Sequence, residues 1–241
     1  MLEIALFESR RKTRSILSIT GFMTVLSSLS IALFPSLKES SVDLANYLEG
    51  MSPEVRRAFA GSVTDISTIE GFLVVEVYQS MWLLLLGVYF AYAAASLISS
   101  EVQDESLDLV LITPISRAEY VVGKFFSLVT TVVAVDLLMY LVVYFGVTFV
   151  DESVDPELLL VLHTAFVAYF LACSGLGLLS SVIFNRERKA QVVAIASIFG
   201  MFLVDTLTID TDYEWVGDFA FSRYLDPGKI LVSGDVDLER F

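Results

Sequence analysis

Val77-Tyr-Gln-Ser-Met-Trp-Leu-Leu-Leu-Leu-Gly-Val-Tyr-Phe-Ala-Tyr-Ala-Ala-Ala-Ser-Leu-Ile98 runs for 22 residues without a charged side chain. About 20 apolar residues coiled as a helix cross the ~30 Å hydrocarbon layer of a bilayer. Immediately after it the character changes. Glu101-Val-Gln-Asp-Glu-Ser-Leu-Asp-Leu-Val-Leu-Ile-Thr-Pro-Ile-Ser-Arg117 is charged at its start and apolar towards Pro114, with Gly123-Lys124 just beyond. A second apolar run, 122–149, follows. The same reading along the whole chain predicts five spans, roughly 15–34, 77–98, 122–149, 159–184 and 191–208. The third and fourth exceed the minimum length, so they tilt or project.

Composition agrees. The 241 residues are 56% hydrophobic, with mean hydropathy +0.72. Soluble domains hold about 45–50% apolar residues. The expected class is therefore an all-α polytopic membrane protein, with residues 1–241 forming one transmembrane domain. The net charge of −14 excludes nucleic-acid binding, which needs basic patches. Many acids and only five lysines suggest a chain adapted to high salt, from a halophilic prokaryote. Cys173, the one cysteine, lies in an apolar segment and reads as a packing residue. With no Cys/His cluster there is no expected metal or cofactor site. His163, the one histidine, starts the same segment and reads as an interfacial residue.

Residues 1–14 place Arg10, Arg11, Lys12 and Arg14 after an apolar stretch. That order is the reverse of a secretory signal and fits a helix lying at the membrane interface. Basic residues orient the chain. With a cytoplasmic N-terminus, the inner segments 1–14, 99–124 and 185–190 hold 9 basic and 8 acidic residues. The outer segments 35–70, 150–158 and 205–241 hold 6 and 19. In the first outer loop, Ser52-Pro53-Glu54 reads as a helix start with Pro at the first helical position. The stretch 209–241 carries Tyr213, Trp215, Phe219, Phe221 and Tyr224, residues suited to a headgroup boundary.

Within 101–117, Leu107, Val110, Leu111 and Pro114 share one helical face, with Asp104, Glu105 and Asp108 opposite. The acids sit where a helix dipole favours them, and Pro114 stops the helix. An acidic polar face is ill suited to an anionic inner leaflet. A soluble partner protein fits it better.

No nucleotide-binding loop is present: Gly123-Lys124 lacks the following Ser/Thr and the earlier Gly. No catalytic residue is expected, and any energy source must be a partner or a gradient. Asp136 lies in the middle of the third span, where an acid costs roughly 2.5–3.5 kcal/mol to insert. It is either a substrate or proton contact on a transport path, or a hydrogen-bond partner of a neighbouring Ser or Thr. Glu76 reads as the outer edge of span two. Small residues recur at spacing four as Ala91, Ala95, Ser99 and as Cys173, Gly177, Ser181, stripes that favour close helix packing.

The stretch from Glu101 resembles the loop between spans two and three of ABC-2 type permeases of ABC transporters. It is closest to the branch that serves multi-copper enzyme maturation. Their pattern, approximately E-E-x-x-G-T-L-[DE]-L-L-L-[ST]-x-P-[IV]-S-R and then G-K, is met by Glu101, Leu107, Asp108, Leu109, Leu111, Pro114, Ser116, Arg117, Gly123 and Lys124. It departs at Glu105, where Gly is usual, and at Ser106, where Thr is usual. The resemblance implies an exporter permease in the cell membrane. It implies a second permease subunit, identical or not, and two copies of a soluble ATPase. The ATPase would dock on a cytoplasmic coupling helix carrying Glu101, Asp104, Glu105, Leu107, Val110, Leu111, Pro114, Ser116 and Arg117. The family has six spans; the sixth is absent from this chain, which is expected to be shortened. The alternative class is an ATP-independent secondary transporter or assembly scaffold. A gradient-driven carrier more often shows several intramembrane charges or broken helices.

Overall fold

The computed structural model describes residues 2–38, 50, 55, 63, 66–106, 116–209 and 211–235. Helix α1 is Leu2–Lys38. Next come α2 (Ile69–Leu73), a π-helical stretch (Val74–Leu86), α3 (Gly87–Ala95) and α4 (Ser99–Gln103). Then α5 is Arg117–Phe149, α6 Pro156–Ile183 and α7 Glu187–Thr208. Two 3-10 turns, Glu214–Phe219 and Phe221–Tyr224, lead to α8, Pro227–Leu231. No strand occurs among the described residues.

Five stretches are long and apolar enough to cross a membrane: Ile16–Lys38, Ile69–Gln103, Arg117–Phe149, Pro156–Ile183 and Glu187–Thr208. They match the five expected spans, but several begin earlier. Capping explains the shift. Thr68 accepts from the Gly71 N–H, Ser116 from Glu119, and Asp155 from Glu157 and Leu158. A capped helix starts where its first N–H groups find acceptors, not where hydropathy rises. At 33 residues α5 is about 50 Å long, well beyond the hydrocarbon layer. The stretch 1–14, expected as an interfacial helix, is continuous from Leu2 with the first span. Of the expected helices of the first outer loop only Val55, which is helical, is described; the Ser52 cap falls outside the described residues.

Span one packs on span three, three on four, and four on two; span five lies against two and four. Spans two and four are the most enclosed. Their seam is aromatic: Phe90 lies 5.0 Å from Phe170, and Trp82 5.3 Å from Phe166, by ring centroids. Spans one, three and five turn apolar side chains outward, among them Phe22, Val25, Phe126, Phe145, Val192 and Phe199. Without a membrane such exposure would be unstable; within one, those side chains simply meet lipid.

The small-residue stripes meet. A Cβ added to Gly177 would lie 2.1 Å from the Ala91 carbonyl oxygen, so span four approaches span two backbone to backbone. The bland packing reading of that stripe holds at this crossing. Before this crossing, span two is not a regular α-helix. Its π-helical stretch has a wider coil with hydrogen bonds of longer reach, and Ser80 Oγ donates to the Val75 carbonyl at 3.3 Å. Tyr169 of α6 donates to the Leu83 carbonyl at 2.8 Å. The sequence carries no Pro in this stretch, and nothing in its periodicity announced the change of coil.

Candidate functional site

Polar clusters interrupt the apolar bundle. The first forms an elbow at the end of the bundle where α5 begins. Helix α3 stops at Ala95 and α4 starts at Ser99. The turn between them exposes two backbone N–H groups, of Ile98 and Ser99. Both donate to the Ser181 hydroxyl of α6, at 2.8 and 2.9 Å. Ser99 and Ser100 return their own hydroxyls to the Ala95 and Ser96 carbonyls. Inserted hydroxyls of this kind are a recognised cause of a helix kink.

One turn on, Glu101 is held from span three. Lys124 Nζ donates to Glu101 Oε1 at 2.7 Å, and the Tyr120 hydroxyl donates to Glu101 Oε2. The side chains of Lys124 and Glu101 are only 1% and 8% exposed. Tyr120 and Lys124 are four apart, so they share a face of α5. Gln103 extends the anchoring to span five, its Oε1 accepting the Glu187 N–H at 3.2 Å. That bond caps α7, whose N-cap residue Arg186 makes no side-chain cap. The elbow is thus fastened to spans three, four and five at once.

Helix α4 ends in a reversal. The Ser106 N–H donates to the Glu101 carbonyl at 3.0 Å and the Glu105 N–H to Val102 at 3.3 Å, with Glu105 at φ +56°. These bonds are the pattern of a Schellman cap, whose left-handed position is usually Gly. Glu105 therefore occupies the place where glycine is expected, and it adopts the left-handed conformation at a steric cost. Glu105→Gly should stabilise the purified protein by about 0.5–1 kcal/mol, read as a higher melting temperature. An unchanged or lower melting temperature would sink this account of the turn.

The second cluster lies between spans two, three and four. His163 Nδ1 is 3.1 Å from Asp136 Oδ1, and its Nε2 is 3.2 Å from the Tyr78 hydroxyl. Trp82 and Tyr140 flank the imidazole, at 4.8 and 5.3 Å between ring centroids. All three members of the row are buried. The expectation of an interfacial His163 is therefore wrong. A residue eight positions into α6 points into the seam because Asp136 and Tyr78 supply its partners. Equally, Asp136 bonds to a histidine, not to a Ser or Thr.

Residues 7–210 match the family described as ABC-2 family transporter protein. The chain belongs to the ABC-2 transporter family. No curated protein and no solved structure matches it. This ABC-2 chain is a multi-pass membrane protein, and its family supplies the membrane component of a transporter.

Against that family, the motif residues separate into groups. Asp104 and Glu105 are exposed beyond the elbow, and Arg117 is exposed at the start of α5. Glu101 is not on the surface: it is buried against Lys124 and Tyr120 and serves the elbow. Ser116 is the N-cap of α5 in a capping box with Glu119, at 3.2 Å one way and 2.9 Å the other. The expectation of a single helix through 101–117 is corrected at its N-terminal end, because the reversal after Gln103 closes α4. Leu107, Val110, Leu111 and Pro114 fall outside the described residues. Of the ABC-2 pattern, Glu101 and Lys124 stand 23 positions apart and meet as an ion pair, a pairing that the spacing alone did not disclose.

A further acid was missed. Asp205, counted with the outer acids, is buried near the end of span five. It accepts from Ser222 Oγ at 2.8 Å and lies 3.6 Å from Arg223. Arg223 also binds Glu214 and Asp218, at 2.8 and 2.9 Å. Partial burial lowers the Arg223 value, but those carboxylates outweigh it and hold the guanidinium above the ordinary arginine value. The signal was there: an acid inside an apolar run, with one arginine 18 residues on. At the same end of the bundle, Lys38 binds Glu152 at 2.6 Å and joins span one to the end of span three.

Proposed function

We propose that this chain is the permease subunit of an ATP-binding cassette exporter. A separate soluble ATPase docks on the segment that follows the elbow, from Asp104 to Ile115. The supporting observation is the three-way fastening of α4. A push on the docked segment would reach span three through Glu101 and Lys124. It would reach span four through Ser181, and span five through Gln103. Coupling of this kind needs a rigid connection between the binding surface and the spans.

The docking end is then cytoplasmic, with the N-terminus on the same side, as the basic residues of 1–14 and 185–190 suggest. Two ATPase subunits and a second permease subunit, identical or related, complete the transporter in the cell membrane. The 101–117 pattern supports placement beside the multi-copper enzyme maturation branch. The sequence carries no nucleotide-binding loop motif, and on this reading hydrolysis is the partner's.

Leu111→Glu tests the reading. Central apolar anchors of an interface are worth about 2 kcal/mol or more, and a charge buried there has no counter-ion. The tagged variant should recover about 30-fold less ATPase in a pull-down while still inserting and eluting as the native protein does. Arg117→Ala should lose far less. Native recovery of ATPase with Leu111→Glu removes this docking site and leaves the ATP-independent carrier or scaffold as the better reading.

A further inference from the structure

We propose that Tyr78, His163 and Asp136 form a buried binding site for one proton, placed where spans two, three and four meet. The inference goes beyond the docking reading and does not depend on it.

The arrangement has a definite hydrogen bookkeeping. With His163 neutral, Nδ1–H donates to the Asp136 carboxylate and the Tyr78 hydroxyl donates to Nε2. This satisfies each contact but leaves one negative charge in an apolar seam, which is costly. One added proton on Nε2 makes the row neutral overall, an imidazolium against a carboxylate. Tyr78 then changes from donor to acceptor. Three aromatic rings border the imidazole: the centroids of Trp82, Tyr140 and Tyr78 lie 4.8, 5.3 and 5.9 Å from it, each ring nearly perpendicular to it.

Among the described residues, no other charged group faces the site. Span two contributes Tyr78, while its Glu76 is exposed. Span three contributes Asp136 and Tyr140. Span one has Lys38 far along its helix, bound to Glu152. On α8, which also packs on spans two and four, Lys229 is exposed and Asp226 caps its own helix. The Asp136 side chain keeps 8% exposure.

The π-helical stretch gives the site a purpose. Tyr78 and Trp82 both belong to it and both touch His163. Proton uptake reverses the Tyr78 hydrogen bond and so alters the hold of span four on this unusual segment.

Trp82 is a built-in reporter, because a protonated imidazole quenches a neighbouring indole. The protein has two tryptophans, so Trp215→Phe leaves Trp82 alone. In the detergent-solubilised full chain, Trp82 emission should fall reversibly in one step as the pH is lowered and the proton is taken up. His163→Gln keeps a donor and an acceptor but cannot titrate, and should abolish the step. Asp136→Asn removes the carboxylate that favours the imidazolium, and should move the midpoint to lower pH. The second variant decides the matter if His163→Gln does not fold. A folded Trp215→Phe protein with no step, a step that survives His163→Gln, or an unmoved midpoint in Asp136→Asn overturns the proposal.

Discussion

Gly177→Ala is expected to pry spans two and four apart. The added methyl would stand 2.1 Å from the Ala91 carbonyl oxygen and 2.9 and 3.0 Å from two further backbone atoms of Ala91. None of these can swing aside as a side-chain tip could. Carbon and oxygen in contact need well over 3 Å, so the two helices must move by more than 1 Å at their crossing. The crossing lies between the π-helical stretch and the Ser181 elbow, and both depend on the same approach. Overpacking of ordinary cores costs about 1–3 kcal/mol, and a clash with backbone belongs at or above the upper end. Gly175→Ala is the internal control: it sits two residues away on the same helix, with nothing within 4 Å of its added methyl. The melting temperature of the purified protein should fall sharply for Gly177→Ala and stay level for Gly175→Ala. Equal behaviour of the two would mean that the close approach is absent.

Lys124→Met should be nearly as damaging, for an electrostatic reason. Lys124 and Glu101 are both buried, and the substitution takes this cation away from a carboxylate that stays enclosed. Breaking a buried pair from one side costs about 3–5 kcal/mol, whereas replacing both partners by apolar side chains is often close to neutral. The double variant Glu101→Met with Lys124→Met should therefore recover much of the loss. Recovery will be partial, because the Tyr120 hydroxyl then loses its bond to Glu101, at about 1–3 kcal/mol. Thermal melting of the four proteins makes a double-mutant cycle. Additive losses, with no recovery in the double variant, would show that the pair does not act as a unit. The same set can be assayed for ATPase recovery. On the elbow reading, Lys124→Met weakens transmission from the docked segment without touching the docked surface.

The polar residues between spans two and three were only partly legible. Glu101, Ser116, Arg117 and Lys124 all stood out as members of one pattern, yet a pattern assigns them a common role that the fold divides. Glu101 and Lys124 are interior supports. Ser116 is a helix cap, and Ser116-Arg117-Ala118-Glu119 spells that cap openly. Asp104 and Glu105 alone of the described acids before Leu107 face outward from the elbow. Exposure depends on what folds over a residue, and for Glu101 the covering residues come from the next span. His163 shows the same limit more sharply. Near the start of an apolar run, a histidine reads as interfacial; only the arrival of Asp136 and Tyr78 from two other spans makes its burial tolerable.

What the amino-acid sequence determined by itself is the class and the number of spans. A run such as Val77–Ile98 has no stable place except a bilayer or a deep core, and that property is local. The starts of α2, α5 and α6 are local too, because each cap acts within three residues, whereas α7 is capped by Gln103 of another span. The tertiary structure alone decided which helix lies against which, the π-helical course of Val74–Leu86, and the partners of Glu101, Asp136 and Asp205. Lipid and protein interior are equally apolar, so hydropathy cannot tell a lipid-facing side chain from one in the seam. The choice is made by close approach at Gly177 and by hydrogen bonds that buried polar groups must find, and both exist only after the spans have met.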